Sequence, residues 1–509
     1  MSAKHAERIV IVGGGVAGWM TASYLKAVRG ESVEVTLVAG GTADGHEDGE
    51  GDEASLGDLG EFFDTLQLAE DDWMPACDAT YKLAVRFQDF SRPRHHFYLP
   101  FEQTREAGGF PLTEWWPRIG PSGRFDRDCF VAAWLCDAGR GPHPLTGPPP
   151  TGTMPAAPYG YHVDAAALAR RLSRYALERG VRHLADDVVD VALDERGGIA
   201  HVRTAGREAV TGDLFVDCTG TRALLLGQAL RVPFVSYQDT LPGDSVVTLR
   251  VPADMKAHGI APYTAVTAQA AGWTWSIPLA GRIGTGYVYA RAYCTPQEAE
   301  HTLREAAGPE AAGVPATHTP LACGRSLQAW KHNCVAVGAA AGRVEPLEAT
   351  GISFVHHALE RLVRHLPATR GDASGDAMAA GRDDYNPATA RELDAARDFL
   401  TLHYLGAARG HTQFWRDAQT CEPPRALAAH LAHRREHPAG APPHPAGLPR
   451  HAYTSILLGT GALAPHPPAA LALADERPAR REFAAVKERA RALVRALPTQ
   501  YDYVSRISA

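Results

Sequence analysis

Gly13-x-Gly15-x-x-Gly18 is the first arrangement in the chain that could do chemistry. It lies between the apolar run Arg8-Ile-Val-Ile-Val12 and a helix-forming stretch. Glycines at this spacing let the backbone approach a pyrophosphate, which then rests on the N-terminus of the following helix. A tight turn without a ligand is the plainer reading of the pattern alone, but its place between strand and helix favours a nucleotide. The end of the second strand should then carry an acid for the adenosine ribose. That position is Ala39, and it opens an unusual run. Residues 39–55 read AGGTADGHEDGEGDEAS, in which six of the ten residues from Asp44 to Glu53 are acidic. A carboxylate close to a pyrophosphate costs on the order of 1–4 kcal/mol. The run is therefore expected to weaken nucleotide binding, unless its acids point into water. A second arrangement is GWTWSIP at 272–278. Trp273 and Trp275 share one face of a strand and would line a core or a pocket wall. The eight cysteines are scattered, without CxxC or Cys/His spacing, and no HExxH is present, so no metal site is expected.

The elements that must hold these residues follow from periodicity. Residues 8–12, a helix to about 28 and residues 33–38 form a βαβ opening, the mark of an α/β fold. Residues 81–90 alternate, with Tyr81, Leu83, Val85 and Phe87 on one face and Lys82, Ala84, Arg86 and Gln88 on the other. That pattern predicts a half-buried strand. An amphipathic helix is expected over 164–178, strands over 186–204, 213–217 and parts of 246–290, and a helix from Ile352 to Leu366. From about 390 the pattern is helical. Pro- and Gly-rich stretches at 141–158 and 436–450 read as loops or covers. On residue type alone, Lys82 would be a solvated strand lysine and Glu348 a surface acid or helix cap.

Bulk properties exclude several classes. The 509 residues carry a net charge of −7, with 45% apolar and 21% charged residues. This gives no basic footprint for nucleic acid. No apolar run is long enough for a membrane span, which takes about 20 residues. The first strand begins within ten residues, which leaves no room for a signal peptide and predicts a cytoplasmic location.

Five segments together carry a resemblance: GGGVAGWMTASYLKA, DDWMPACDATYKLAVRFQDF, DLFVDCTGTRALLLGQAL, GWTWSIPLAGRIGTGYVY and VEPLEATGISFVHHALERLVRHLP. They resemble the flavin-dependent tryptophan halogenases, from about residue 8 to LPTQYDYVSRIS near the C-terminus. GWxWxIP and PLExTGIxF are the specific elements. The resemblance implies a Rossmann-like FAD-binding domain of the flavin monooxygenase/halogenase type, a mixed-sheet substrate region and a mostly helical C-terminal part. The FAD-binding core would span 1–390, with substrate segments interleaved at about 80–160 and 230–320. Residues 391–509 would be helical and carry a substrate lid. The implied activity is chlorination or bromination of an indole or tryptophan-derived ring. A separate flavin reductase supplies FADH2, oxygen makes a flavin hydroperoxide, and a bound chloride or bromide becomes hypohalous acid. The acid then travels to the substrate. Lys82 matches the catalytic lysine that aims the oxidant, and Glu348 matches the carboxylate beside it. Thr350 and Gly351 match the halide site. Gly13, Gly15, Val16, Ala17, Gly18, Ser55 and Ile352 match cofactor positions, and Leu99, Phe101 and Tyr453 fall at substrate positions. The substrate would be an aromatic small molecule, free or bound to a peptide or carrier, with no nucleic acid or membrane partner. A homodimer is left open.

Three departures from the family pattern bear on function. An acid is replaced by Ala39, and the family's Gly-x-Gly-Glu-Ala-Thr reads Glu50-Gly51-Asp52-Glu53-Ala54-Ser55, with acids for both glycines. The histidine of Phe-Tyr-His-x-Phe is Leu99. The lid, PHPAGLPRHAYTSILLGTG, has only Tyr453 as an aromatic and no acid to meet an ammonium group. That last absence points to a derivatised or carrier-bound aromatic rather than free tryptophan. The first keeps a second reading open: a degenerate relative with weakened FAD binding, doing flavin-independent acid–base catalysis or acting as a non-catalytic partner.

Overall fold

The computed structural model describes residues 7–40, 53–120, 123–145, 157–366, 375–407, 410–436, 451–462 and 469–508. Most of the acidic run, including Glu50 and Asp52, and the Pro-rich stretch 437–450 lie outside the described residues. The chain divides into two compact units. The first is Met1–Cys77, Val163–Tyr237 and Ala322–Asp394, and the second is Asp78–His162, Gln238–Leu321 and Ala395–Ala509.

The first unit is built on a six-stranded sheet among its described residues. Its order is Arg182–Leu184, Val33–Val38, Glu7–Val12, Leu214–Asp217, Cys334–Ala336 and Trp330–Lys331. All neighbours are parallel except the last pair. The strand Glu7–Val12 is β-branched and buried on both faces, as a central parallel strand must be. The crossover helix Val16–Arg29 starts at the glycine turn. Helix Ala165–Glu178 is capped by the Asp164 carboxylate, which accepts from Ala167 N–H at 2.8 Å.

The second unit is built on a seven-stranded sheet among its described residues. Its order is Thr317–Pro320, Ser245–Pro252, Arg282–Tyr289, Gly272–Pro278, Tyr263–Gln269, Ala84–Gln88 and His96–Pro100. The pairing is antiparallel, except where Tyr263–Gln269 meets Ala84–Gln88.

One expectation is overturned here. Residues 81–90 are not one half-buried strand. The chain breaks at Leu83 into Thr80–Lys82 and Ala84–Gln88, which pair with different neighbours. The first pairs with Gly160–Val163 and the second joins the large sheet, and every residue from Thr80 to Val85 is buried, so neither face meets water there. Lys82 and Ala84, assigned to a solvated face by alternation, are both 0% exposed.

Candidate active site

In the first unit the three motif glycines serve two different purposes. Gly13 has φ +115°, and a Cβ there would lie 2.2 Å from the Cys218 carbonyl oxygen. A Cβ on Gly18 would lie 1.9 Å from the Gly13 carbonyl oxygen. Both are packing constraints that bring helix, turn and sheet together. Gly15 is different, because nothing lies within 4 Å of where its Cβ would be. It is the open position of the cradle, at the N-terminus of a helix with no acid in its first turn. A pyrophosphate fits that arrangement of backbone N–H groups and helix dipole. Val16 is buried behind the turn, and the Ala17 carbonyl accepts from Thr21 Oγ1 at 2.6 Å. An acid does reach the end of the second strand, although Ala39 is not one. The Asp187 carboxylate occupies the space of a side chain on Gly40, with Oδ1 2.0 Å from the Cβ position.

The PLEATG turn lies in the same unit. Glu348 is 2% exposed at the end of the 3-10 turn Pro346–Glu348. Ala349 follows with φ +58°, a left-handed conformation that disfavours a side chain. Thr350 then precedes helix Gly351–His365, and its carbonyl accepts from Phe354 N–H at 2.9 Å. Space is open around Gly351, while Ile352 is buried. The helix is held by buried polar contacts. Ser353 Oγ donates to Asp58 at 2.8 Å, and His357 meets Glu392 at 2.5 Å, which raises the imidazole pKa. Ser55 is buried and its hydroxyl donates to the Leu56 carbonyl at 2.9 Å.

The second unit holds Lys82, Leu99, Phe101 and Tyr453. The Lys82 ammonium lies 5.2 Å from the centre of the Phe101 ring. Phe101 N–H donates to the Leu83 carbonyl at 3.2 Å, which ties the two residues together. Leu99 is buried opposite Val85. The Tyr453 ring packs 4.9 Å from Phe399 and 4.5 Å from His430, and burial pushes its phenol pKa up. Of the two tryptophans, Trp273 is core and donates to Tyr404 Oη at 3.0 Å. Trp275 is half-buried and its ring lies over Gly286, where a Cβ would be 2.2 Å from it.

A buried chain of hydrogen bonds fixes the Lys82 strand. Thr80 O–H donates to the Pro278 carbonyl at 2.6 Å, so His162 Nδ1–H must donate to Thr80 Oγ1, at 3.1 Å. His162 Nε2 is then the acceptor for Thr264 O–H at 2.9 Å. Burial, with Lys82 nearby, holds the imidazole neutral by lowering its pKa well below the usual value. From the C-terminus, Gln500 Nε2 donates to the carbonyls of Tyr81 and Ala261 at 3.0 and 3.2 Å.

A family model for tryptophan halogenases matches residues 8–476. The chain belongs to the tryptophan halogenase family. The halogenase is 54% identical to tryptophan 6-halogenase SttH of Streptomyces toxytricini, over 99% of this chain and 98% of that protein. It is 50% identical to 7-chloro-L-tryptophan 6-halogenase KtzR of Kutzneria sp. (strain 744), over 98% and 99% of the two chains. Among solved structures it resembles Tar14, a tryptophan C-6 flavin-dependent halogenase from taromycin biosynthesis. The TM-score is 0.92, with 48% identity, over 99% of this chain and all of that one. The family is one of enzymes that take reduced flavin from outside, and that disposes of the non-catalytic reading.

Several residues of the halogenase escaped sequence reasoning. The Asp217 carboxylate is fully buried and accepts from Thr219 Oγ1 at 2.6 Å and from Leu225 and Leu226 N–H at 2.8 Å. Its signal was the DCTG tetrapeptide after a strand. His162 and His451 carried no signal, since their partners are distant in sequence. His451 is 3% exposed, with Nε2–H donating to the Pro100 carbonyl at 3.3 Å, and burial lowers its pKa to about 4. The unfolded chain takes up a proton at this residue below pH about 6.5, while the folded chain does so only near 4. Stability is therefore expected to fall between pH 6.5 and 4, by up to about 1.4 kcal/mol per pH unit from this group. Denaturant melts of His451→Leu should show a shallower acid slope than the natural chain. An unchanged slope would mean that the imidazole is protonated in the fold. Among the described residues no group of three or more His, Cys, Asp or Glu could hold a metal, all eight cysteines are free, and no helix is long and apolar enough to cross a membrane.

Proposed function

We propose that the enzyme binds FADH2 and chloride or bromide in the first unit and halogenates free tryptophan, or a chlorinated tryptophan, at C6. The burial of Lys82 beside Phe101 carries this reading. A lysine taken wholly out of water costs several kcal/mol, and a fold keeps one there when its ammonium is used. When bound, the reduced flavin supplies the two electrons with which oxygen turns halide into hypohalous acid. Thr350 and Gly351 offer the halide backbone N–H groups at the start of a 15-residue helix. Phe101 stacks the indole, and Lys82 hydrogen-bonds hypohalous acid and aims it at the ring. The ring carbon gains halogen, the Lys82 ammonium gives a proton to the departing hydroxide, which leaves as water, and Glu348 takes the ring proton. Trp273 and Trp275 stiffen the sheet behind this region, and Tyr453 braces the lid helix against Phe399 and His430. The names of the relatives at 54% and 50% identity move the substrate from a carrier-bound aromatic to the free amino acid. The deciding assay supplies reduced flavin from a flavin reductase, halide and tryptophan, with products read by mass spectrometry and NMR. No halogenated product with any tryptophan would sink the reading.

The cradle is tested separately. Gly15→Val places a side chain where the structure leaves room, so the melting temperature should hold while FAD binding is lost. Gly13→Ala should instead destabilise the chain, because it meets the Cys218 carbonyl. Equal FAD affinity in Gly15→Val would remove the cradle from the site. The acidic run adds a salt test. If those acids act on the pyrophosphate, FAD should bind more tightly at 0.5 M salt than at low salt, because screening shortens their reach to under about 8 Å. An affinity indifferent to salt would place the acids in solvent.

A further inference from the structure

Three segments meet at the carboxyl edge of the six-stranded sheet, the edge at which a parallel α/β sheet binds its ligands. Gly13 N–H donates to the Val38 carbonyl and Ala39 N–H to the Leu184 carbonyl, each at 3.0 Å. These bonds tie together the glycine turn, the end of strand Val33–Val38 and the end of strand Arg182–Leu184. Close contacts run the same way. A Cβ on Gly14 would lie 2.8 Å from the Ala39 Cβ, so Ala39 abuts the turn. Gly40 follows, and the Asp187 carboxylate fills the space that a side chain there would take. The loop after Leu184 carries two adjacent acids, and they are used differently. Asp186 is spent on the loop itself, where Oδ1 accepts from Asp187 N–H at 2.8 Å and Oδ2 from Gly206 N–H at 2.7 Å. Asp187 is exposed, and its carboxylate has no hydrogen-bond or ion-pair partner among the described residues. It is a free acid held at the edge of the cradle by a gap that only glycine leaves.

We propose that Asp187 binds the adenosine ribose of FAD, in the part that an acid at position 39 would play, and that Gly40 stays without a side chain to admit it. The inference rests on the reading that the glycine turn holds FAD. An ionised carboxylate has two acceptor oxygens and no donor, which matches the two neighbouring hydroxyls of a ribose. In the ordinary arrangement the acid stands at the end of the second strand. Here it comes from the loop of the adjacent parallel strand, and the gap at Gly40 brings it back to the same edge. Against a pyrophosphate the same charge would cost affinity, so the sign of its effect separates the two cases.

The test titrates the natural chain, Asp187→Ala and Gly40→Ala with oxidised FAD and with an FAD analogue whose adenosine carries a 2′,3′-dideoxyribose. Asp187→Ala should raise the Kd for FAD about tenfold to hundredfold, the range for hydrogen bonds to a charged acceptor. Its melting temperature should hold, because the side chain is exposed. The dideoxy analogue should bind the natural chain as weakly as FAD binds Asp187→Ala. It should also be indifferent to the substitution, since the two changes remove the same contact. Gly40→Ala should weaken FAD in the same way and still fold, because the group it displaces is the end of a flexible side chain. Unchanged or tighter FAD binding in Asp187→Ala would overturn the proposal, and so would an equal loss with FAD and with the analogue. Full FAD affinity in Gly40→Ala would overturn the part given to Gly40. If the natural chain binds no FAD, the proposal falls together with the cofactor reading; if it binds FAD and Asp187→Ala matches it, only the proposal falls.

Discussion

Lys82→Met yields no halogenated tryptophan while flavin continues to reoxidise and peroxide is released at the natural rate. The expected loss is about 10²–10⁴-fold, the range of a positioned proton-transfer or hydrogen-bonding group. Methionine keeps most of the lysine stem and volume, so packing around Phe101 survives. It also removes an ammonium held at 0% exposure, so the melting temperature should stay level or rise. Lys82→Arg should fail as well, because a planar guanidinium cannot reproduce the position of a compact ammonium held at 0% exposure. The decisive measurement is product per flavin oxidised, read together with peroxide. Unchanged product in Lys82→Met would leave Lys82 as a structural lysine and return the role of aiming the oxidant to another group.

Glu348→Gln slows halogenation about 10²-fold or more with flavin oxidation again intact. Glutamine preserves the shape and one acceptor oxygen of a side chain 2% exposed but removes its charge, so a lost rate with the melting temperature intact reports lost basicity. A further signature distinguishes proton removal from a structural role. Ring-deuterated tryptophan should show a larger isotope effect in the variant, since slow deprotonation would then limit the rate. A near-normal rate without an isotope effect would make Glu348 a cap of the turn before Ala349 and Thr350. In that case Ala349, strained at φ +58°, would be the part of the turn most in need of explanation.

The sequence by itself determined the elements and the family. Periodicity of 3.6 marks Ala165–Glu178 and Gly351–His365, and the β-branched run marks Glu7–Val12. These patterns are local, because one helix or strand must bury its own apolar face whatever surrounds it. The glycine turn, GWTWSIP and PLEATG are also contiguous, so these segments could be picked out from residue order. Burial was not legible at Lys82. Alternation assumes that one sheet face meets water, and here every residue from Thr80 to Val85 is buried whichever face it lies on. The same limit explains the missing polar groups. No acid stands at Ala39, yet the Asp187 carboxylate, 148 positions on, lies against Gly40. Position 99 is Leu99, and the chain brings the distant His451 to within a hydrogen bond of the Pro100 carbonyl. A side chain acts where it lies in space, and hydrogen bonds and carboxylates act only over a few ångströms. Only tertiary structure decides which distant residues come that close, because closing a loop of hundreds of residues leaves no trace in local pattern.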